Sequence, residues 1–346
     1  MNQANSIADV VRVLAARLPA GWEAVSMAVT QRNGPDASLR ISSPDGASVP
    51  IPVELKDRLR PRGVADVVDA LDQYAPGPVL VAAPFLSPRT RDQLQAANLN
   101  YIDLTGNIRL VLSRPGLFVE TRGALADPQP LNAPGRSLRG PKAGRVVRAL
   151  CDFHLPLSIS DLAAKAQVDI SYASRLVEWL AQDALLDRKP RGAVEVVDRP
   201  ALIRRWAQDY SVLKSNDARG YLDPRGIDNL VRGLTNAGIR RMIITGSLAA
   251  NKIAPIAPAR LAMVYVDDIA SAAKALNLVP ADTGANVMLL APFDEVVFAR
   301  PATADGLTFV AASQLAVDLL TSPGRAPSEA EAVLQYLSSP KEEDLA

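Results

Sequence analysis

The stretch Ser160-Asp161-Leu162-Ala163-Ala164-Lys165-Ala166-Gln167-Val168-Asp169-Ile170-Ser171-Tyr172-Ala173-Ser174-Arg175-Leu176-Val177 decides how this chain is read. Ser160 is a good N-cap, and the small and apolar residues behind it predict a short helix ending near Ala166. Gln167-Val168-Asp169 breaks that pattern. A second helix is predicted from Ile170 to about Leu186, with Ala173, Leu176, Val177 and Leu180 on its apolar face. Upstream, Lys142 to Asp152 predicts another helix with Val146, Val147 and Leu150 inward. Downstream, Arg188-Lys189-Pro190-Arg191-Gly192-Ala193-Val194-Glu195-Val196-Val197 reads as two short strands around Arg191-Gly192.

Two short helices about a three-residue break, followed by a strand pair, resemble the winged helix-turn-helix of bacterial transcriptional regulators. In that motif the N-terminal part of the second helix enters the major groove of duplex DNA. The outward residues there are Ser171, Tyr172, Ser174 and Arg175: short donors, an aromatic ring, and an arginine able to bond guanine at two points. Arg188, Lys189 and Arg191 on the wing would meet phosphates. Arg136, Arg139, Lys142, Arg145 and Arg148 add a basic stripe that the nearly neutral chain hides. Some winged helices bind proteins instead, so a protein-binding module stands beside the DNA reading.

Composition narrows the remaining classes. The 346 residues suggest two or three domains at about 100–200 residues each. Apolar residues make up 48% and charged ones 22%, as in a globular protein with real cores. Lys and Arg total 38 against 37 Asp and Glu, so any nucleic-acid site is a local patch. One Cys and one His cannot make a zinc finger or an internal disulfide. Cys151 and His154 lie three apart at the end of one helix, and Cys151 reads as a small core residue. No basic leader followed by an apolar run is visible at the start. The longest apolar run, Pro78 to Leu86, is far below the ~20 residues of a membrane span, so a cytoplasmic location and no membrane partner are expected.

The N-terminal part carries a second pattern. Residues 7–18 predict a helix capped by Ser6, and a strand is predicted at 23–31. Two alternating runs, 37–42 and 48–56, flank the turn signal Ser43-Pro44-Asp45-Gly46. Centring that turn on Asp45 sets Ala37 opposite Val53, Leu39 opposite Ile51 and Ile41 opposite Val49, which gives one apolar face. The same register sets Asp36 opposite Glu54, where paired Cβ atoms lie about 4.5–5.5 Å apart, with Lys56 on the same face. Two carboxylates and a lysine suit Mg²⁺-assisted phosphodiester hydrolysis. Pro35-Asp36 with Glu54-Leu55-Lys56 resembles the PD-(D/E)XK motif of restriction-endonuclease-like nucleases, as does the order of elements over residues 5–112. The resemblance implies that Asp36 and Glu54 hold the metal while Lys56 faces the attacked phosphate. Pro50 and Pro52 instead suggest an edge strand, and the first helix offers only Asp9 as a further acid.

The C-terminal part predicts a helix at 199–213 and a buried strand Arg241-Met242-Ile243-Ile244 running into Thr245-Gly246-Ser247. Strands follow at 261–266 and 286–290, and helices near 268–276, 312–321 and 327–337. Strand-Gly-Ser-helix resembles the opening of nucleotidyltransferases, whose Gly-Ser turn holds a triphosphate at a helix N-terminus. The acids that family needs are displaced here, because Asp267-Asp268 are adjacent and come only at the strand's end. A winged helix before such a domain, with Phe309 to Leu320 near the end, resembles AbiEi-type antitoxins of type IV toxin–antitoxin systems. That resemblance implies an operon repressor and leaves open a toxin or other protein partner and a homodimer.

The expectation is therefore an α/β and α+β multidomain chain. Residues 1–125 would form a restriction-endonuclease-like mixed sheet, 136–215 the winged helix, and 220–340 a degenerate nucleotidyltransferase-like domain. Breaks are expected at Asp127–Arg136 and near Lys214–Gly220. The leading function is a DNA-binding regulator without enzymatic activity or cofactor. The alternative is a Mg²⁺-dependent DNA endonuclease using Asp36, Glu54 and Lys56.

Overall fold

The computed structural model describes residues 3–28, 34–71, 77–125, 127–128, 137–189, 192–236, 238–239, 241–256 and 258–338. Contacts divide the chain into two compact units, residues 1–133 with 182–184, and residues 134–181 with 185–346. Both mix helices with mixed sheets. No helix among the described residues is long and apolar enough to cross a membrane.

The first unit runs α1 (Gln3–Ala15), β1 (Glu23–Met27), β2 (Ala37–Ser42), β3 (Ser48–Leu55), α2 (Val64–Leu71), β4 (Leu80–Ala83), α3 (Pro88–Ala96), β5 (Asn100–Asp103), β6 (Ile108–Leu112) and β7 (Leu117–Thr121). Its seven strands lie in sequence order in one sheet, antiparallel except for β3–β4 and β4–β5. The helix, the strand and the two alternating runs expected before residue 57 are present as α1, β1, β2 and β3. The first helix starts at Gln3, so Ser6 lies within it and is not its cap. Val10 and Leu14 of α1 pack with Leu39, Ile41, Ile51, Val53, Leu80 and Ile102 on one face. On the other, Val64, Val67 and Leu71 of α2 and Leu94 of α3 pack with Val81 and Tyr101. Strands β4 and β5 are buried throughout, which requires cover on both faces.

The hairpin register is as the turn chemistry predicts: Ala37 faces Val53, Leu39 faces Ile51 and Ile41 faces Val49. The prolines are accommodated because β3 changes character along its length. Lys56 donates its backbone N–H to Ala82 O at 2.8 Å, so even-numbered residues of β3 aim their backbone groups towards β4. That strand is paired only with Val53, Glu54 and Leu55. Pro50 and Pro52 therefore lack an N–H where no neighbouring strand asks for one. The strand is an edge in its first half and interior in its second.

The second unit opens with α4 (Pro141–Asp152), α5 (Ile159–Ala166), α6 (Ile170–Gln182), β8 (Leu186–Arg188) and β9 (Val194–Val197). Antiparallel β8 and β9 are joined by a bridge from Val194 to Leu157, which ties the hairpin to the start of α5. Two boundaries differ from expectation. The cap of α5 is Ser158, whose Oγ accepts the Asp161 N–H at 3.1 Å, and not Ser160. The second helix stops at Gln182, because Leu186 is needed in the hairpin.

Then follow α7 (Arg199–Ala207), α8 (Val212–Ser215), β10 (Asp217–Leu222), α9 (Ile227–Asn236), β11 (Met242–Thr245), α10 (Gly246–Ile253), β12 (Ala262–Val266), α11 (Ile269–Ala275), β13 (Val279–Pro280), β14 (Val287–Ala291), β15 (Ala302–Ala304), β16 (Leu307–Phe309), α12 (Ala312–Leu320) and α13 (Ala326–Ser338). The sheet order is β13-β10-β14-β12-β11-β16-β15. The break expected near Lys214–Gly220 is instead strand β10, paired with β13 and β14. Gly220 is required there, since a Cβ would lie 2.6 Å from Ala281 O. The helix expected at 199–213 is split into α7 and α8. One continuous core, from Leu138 and Val146 through Trp206 and Tyr265 to Leu337, spans the segments 136–215 and 220–340.

Candidate functional site

The carboxylate cluster is built by the end of the β2–β3 hairpin. Asp36 stands one residue before the first ladder pair and is exposed. Its Oδ2 accepts the Leu55 N–H at 2.9 Å, so the side chain continues the ladder where β2 has not yet begun. Glu54 is 8% exposed, and its Oε1 accepts a hydrogen bond from Lys56 Nζ at 2.6 Å. The structure thus brings Glu54 and Lys56 into direct contact and ties Asp36 to the same strand end through Leu55. Mg²⁺ is commonly held by one or two carboxylates plus waters and substrate oxygens, so Asp36 and Glu54 meet that minimum. Lys56 and the Leu55 N–H compete with a metal for them. No group of three or more His, Cys, Asp or Glu side chains able to hold a metal ion occurs among the described residues.

Asp103, at the end of β5, is fully buried and structural. Its oxygens accept from the N–H groups of Leu86, Thr105 and Asn107, from Thr105 Oγ1, and from Asn107 Nδ2. Asn107 passes the network on, with Oδ1 accepting from Arg91 at 2.6 Å and from the Gly123 N–H.

The second candidate surface is the N-terminal half of α6 with the hairpin. Between α5 and α6 the chain reverses at Gln167, a non-glycine residue in the left-handed region at φ 52°. Its N–H closes the end of α5 against Ala163 O and Ala164 O. Of the outward residues, Ser171 and Arg175 are exposed, whereas Tyr172 and Ser174 are half-buried. Burial raises the Tyr172 hydroxyl pKa above its ordinary value, and Arg175 partly offsets that rise. Arg175 has no ion-pair or hydrogen-bond partner among the described residues. On the hairpin, Arg188 is bonded to Glu178 of α6, with only 15% of its side chain exposed. Lys189 is exposed and pairs with Glu195 at 2.7 Å, which raises its pKa. Arg191 lies outside the described residues.

The basic stripe read along α4 does not face solvent as a whole. Arg139 and Lys142 are exposed, and Lys142 reaches Asp169 at 3.2 Å. Arg145 makes a two-point contact with Asp294 at 2.8–3.1 Å. Arg148 is fully buried, bonded to Asp152 at 2.7 Å, to the carbonyls of Val296 and Ala299, and to Gln314. Arg136 lies outside the described residues. The helical period of α4 gives the reason: Arg148 lies on the face that meets α12 and residues 295–298.

At the Gly-Ser turn, Gly246 has φ +68° with the Met263 side chain close by. Ser247 donates to Glu329 Oε2 at 2.6 Å, so a carboxylate of α13 occupies the hydroxyl a phosphate would use. Asp267 is exposed, and Asp268 caps α11 by accepting the Ser271 N–H. Cys151 is buried, as its composition-based reading expects, and burial raises its thiol pKa. His154 is exposed.

One polar cluster has no counterpart in the sequence reading. Asp318 is fully buried and accepts from Thr245, Tyr210, Tyr265 and Gln314. Its signal was present as Gln314 and Asp318, four residues apart on an otherwise apolar helix face. No family model matches this chain, and neither a curated protein nor a solved structure matches it.

Proposed function

We propose that this chain is a DNA-binding transcriptional regulator of antitoxin-like build that reads duplex DNA with a winged helix-turn-helix formed by α5, α6 and the β8–β9 hairpin. The observation that carries the reading is the arrangement of that segment. A left-handed residue at Gln167 ends α5 and leads into α6, leaving Ser171 and exposed Arg175 near the N-terminus of α6. The bridged β8–β9 pair supplies the wing. The order and register of the first unit support a restriction-endonuclease-like fold. The Ser247–Glu329 contact and the capping role of Asp268 support the absence of nucleotidyltransferase chemistry at the Gly-Ser turn.

Gel-shift titrations of the full chain over a salt series test this. Binding should weaken steeply with salt, because each phosphate contact releases counterions. Arg175→Ala should cost about 1–3 kcal/mol on the preferred site and relax its sequence preference. Lys189→Ala and Arg188→Ala should each lower the salt slope by less than one, since Glu195 and Glu178 already pair with them. Absence of duplex binding at low salt sinks the reading.

The contact of Glu54 with Lys56 beside Asp36 favours a second reading, a Mg²⁺-dependent DNA endonuclease. Nicking of supercoiled DNA in Mg²⁺ that disappears in Glu54→Ala would establish it. We expect binding without cleavage, because both carboxylates are already engaged within the protein.

A further inference from the structure

Within the second unit, α7, α8 and the residues leading into α4 border a cleft of about 710 Å³, inside the range of roughly 300–1,000 Å³ common for small-molecule sites. Arg139, Gln208, Ser211 and Lys214 line it. None of these four side chains has a hydrogen-bond or ion-pair partner among the described residues. The carboxylate in the lining, Asp209, is already held, accepting from Arg205 at 2.9 Å and from the Leu138 N–H at 2.7 Å. The charges of Arg139 and Lys214 are therefore not cancelled within the cleft.

One wall of the cleft is aromatic and fixed. The half-buried Phe293 ring lies in tilted contact with Tyr210, their centroids 5.4 Å apart. The Tyr210 hydroxyl donates to Asp318, and the Phe293 N–H donates to Asn216 Oδ1 at 2.8 Å. Rings held in this way offer a flat apolar face at little further cost in ordering. The two cations suit phosphate: a guanidinium can give it two parallel bonds, and an ammonium adds a point charge. A phosphate monoester carries about −1.5 to −2 charges at pH 7, which matches two cations.

We propose that this cleft binds a nucleoside monophosphate, with its phosphate against Arg139 and Lys214 and its base against Phe293. Bases stack on aromatic side chains, and the Gln208 amide brings both a donor and an acceptor to a base edge or a ribose. A sugar phosphate without a base leaves the aromatic wall unused, and an uncharged nucleoside leaves both cations unanswered. The site is separate from the Gly-Ser turn, where Glu329 takes the Ser247 hydroxyl.

Isothermal titration of the full chain at low salt tests the site, with adenosine monophosphate, adenosine and ribose 5-phosphate as probes. The nucleotide should bind once per chain with Kd below about 1 mM. Adenosine and ribose 5-phosphate should each bind at least about tenfold more weakly, since each engages only one half of the cleft. Lys214→Glu and Arg139→Glu, both at exposed positions, should each weaken nucleotide binding at least about tenfold. Lys274→Glu, exposed on α11, should leave it unchanged. Ribose 5-phosphate binding as tightly as the nucleotide would remove the base from the proposal and overturn it, as would no binding of the nucleotide. Equal weakening by Lys214→Glu and Lys274→Glu would mean diffuse charge attraction and overturn it too. The titration contains no DNA, so its outcome is independent of whether the winged helix reads a duplex.

Discussion

Asp318 is a carboxylate enclosed by core. Loss of water raises its pKa to about 6, although bonds from Thr245, Gln314, Tyr210 and Tyr265 pull the other way. Tyr210 and Tyr265 are themselves pushed well above the ordinary tyrosine value by burial, and they remain donors to it. The folded state therefore keeps a proton that the unfolded chain releases near pH 4. Between about pH 4 and 6 the folded form binds more protons, so stability falls as pH rises and levels off once Asp318 is ionised in both states. The loss is on the order of 2–3 kcal/mol. Urea unfolding of Asp318→Asn should lack this part of the fall, and an unchanged pH profile would contradict the assignment. Arg148 is the other residue whose role was set by burial. A gel shift cannot reveal its function, because its guanidinium is held by Asp152, Gln314 and the carbonyls of Val296 and Ala299.

At the scale of single elements, α5 offers a clean comparison. Ser158 accepts the Asp161 N–H, while Ser160 sits one residue inside the helix and only meets Ser158 Oγ at 2.9 Å. Ser158→Ala should destabilise the second unit by about 1 kcal/mol, and Ser160→Ala by much less, in thermal or urea melts. Equal effects would mean that the cap was misplaced. Both serines satisfy the local rule for a cap. What selects Ser158 is the bridge from Leu157 to Val194, which keeps the chain extended up to Leu157. The β2–β3 hairpin shows the opposite case: alternation on both runs permits only one parity, so its register was readable without any tertiary information. Strand β10 was unreadable, since Asp217-Ala218-Arg219-Gly220 has neither alternation nor β-branched residues. Pairing with β13 and β14 makes it a strand.

For the whole molecule, the division of cores predicts which pieces fold. Residues 137–338 contain the full second core and should unfold in a single cooperative transition. A piece ending at residue 215 should not fold stably. It would expose Trp206 and Tyr210, and it would strip Arg148 of Val296, Ala299 and Gln314. Circular dichroism melts of the two pieces check this. A cooperative melt of 137–215 would show that the helices and hairpin form a domain of their own.

By itself the sequence determined the periodic elements, the parity of the first hairpin, the helix–break–helix segment and the Gly-Ser turn. Each of these rests on local chemistry: alternation, helical spacing, or a residue suited to a turn. Only the tertiary structure decided what those elements meet. It placed Arg145 and Arg148 against Asp294 and Asp152 rather than at a solvent-facing stripe. It bonded Arg188 to Glu178 and Lys56 to Glu54, and it answered the Gly-Ser turn with Glu329. A charged side chain is read from the sequence as a charge. Whether that charge acts outward depends on which opposite charge the fold sets within about 4 Å of it, and that partner can lie more than a hundred residues away.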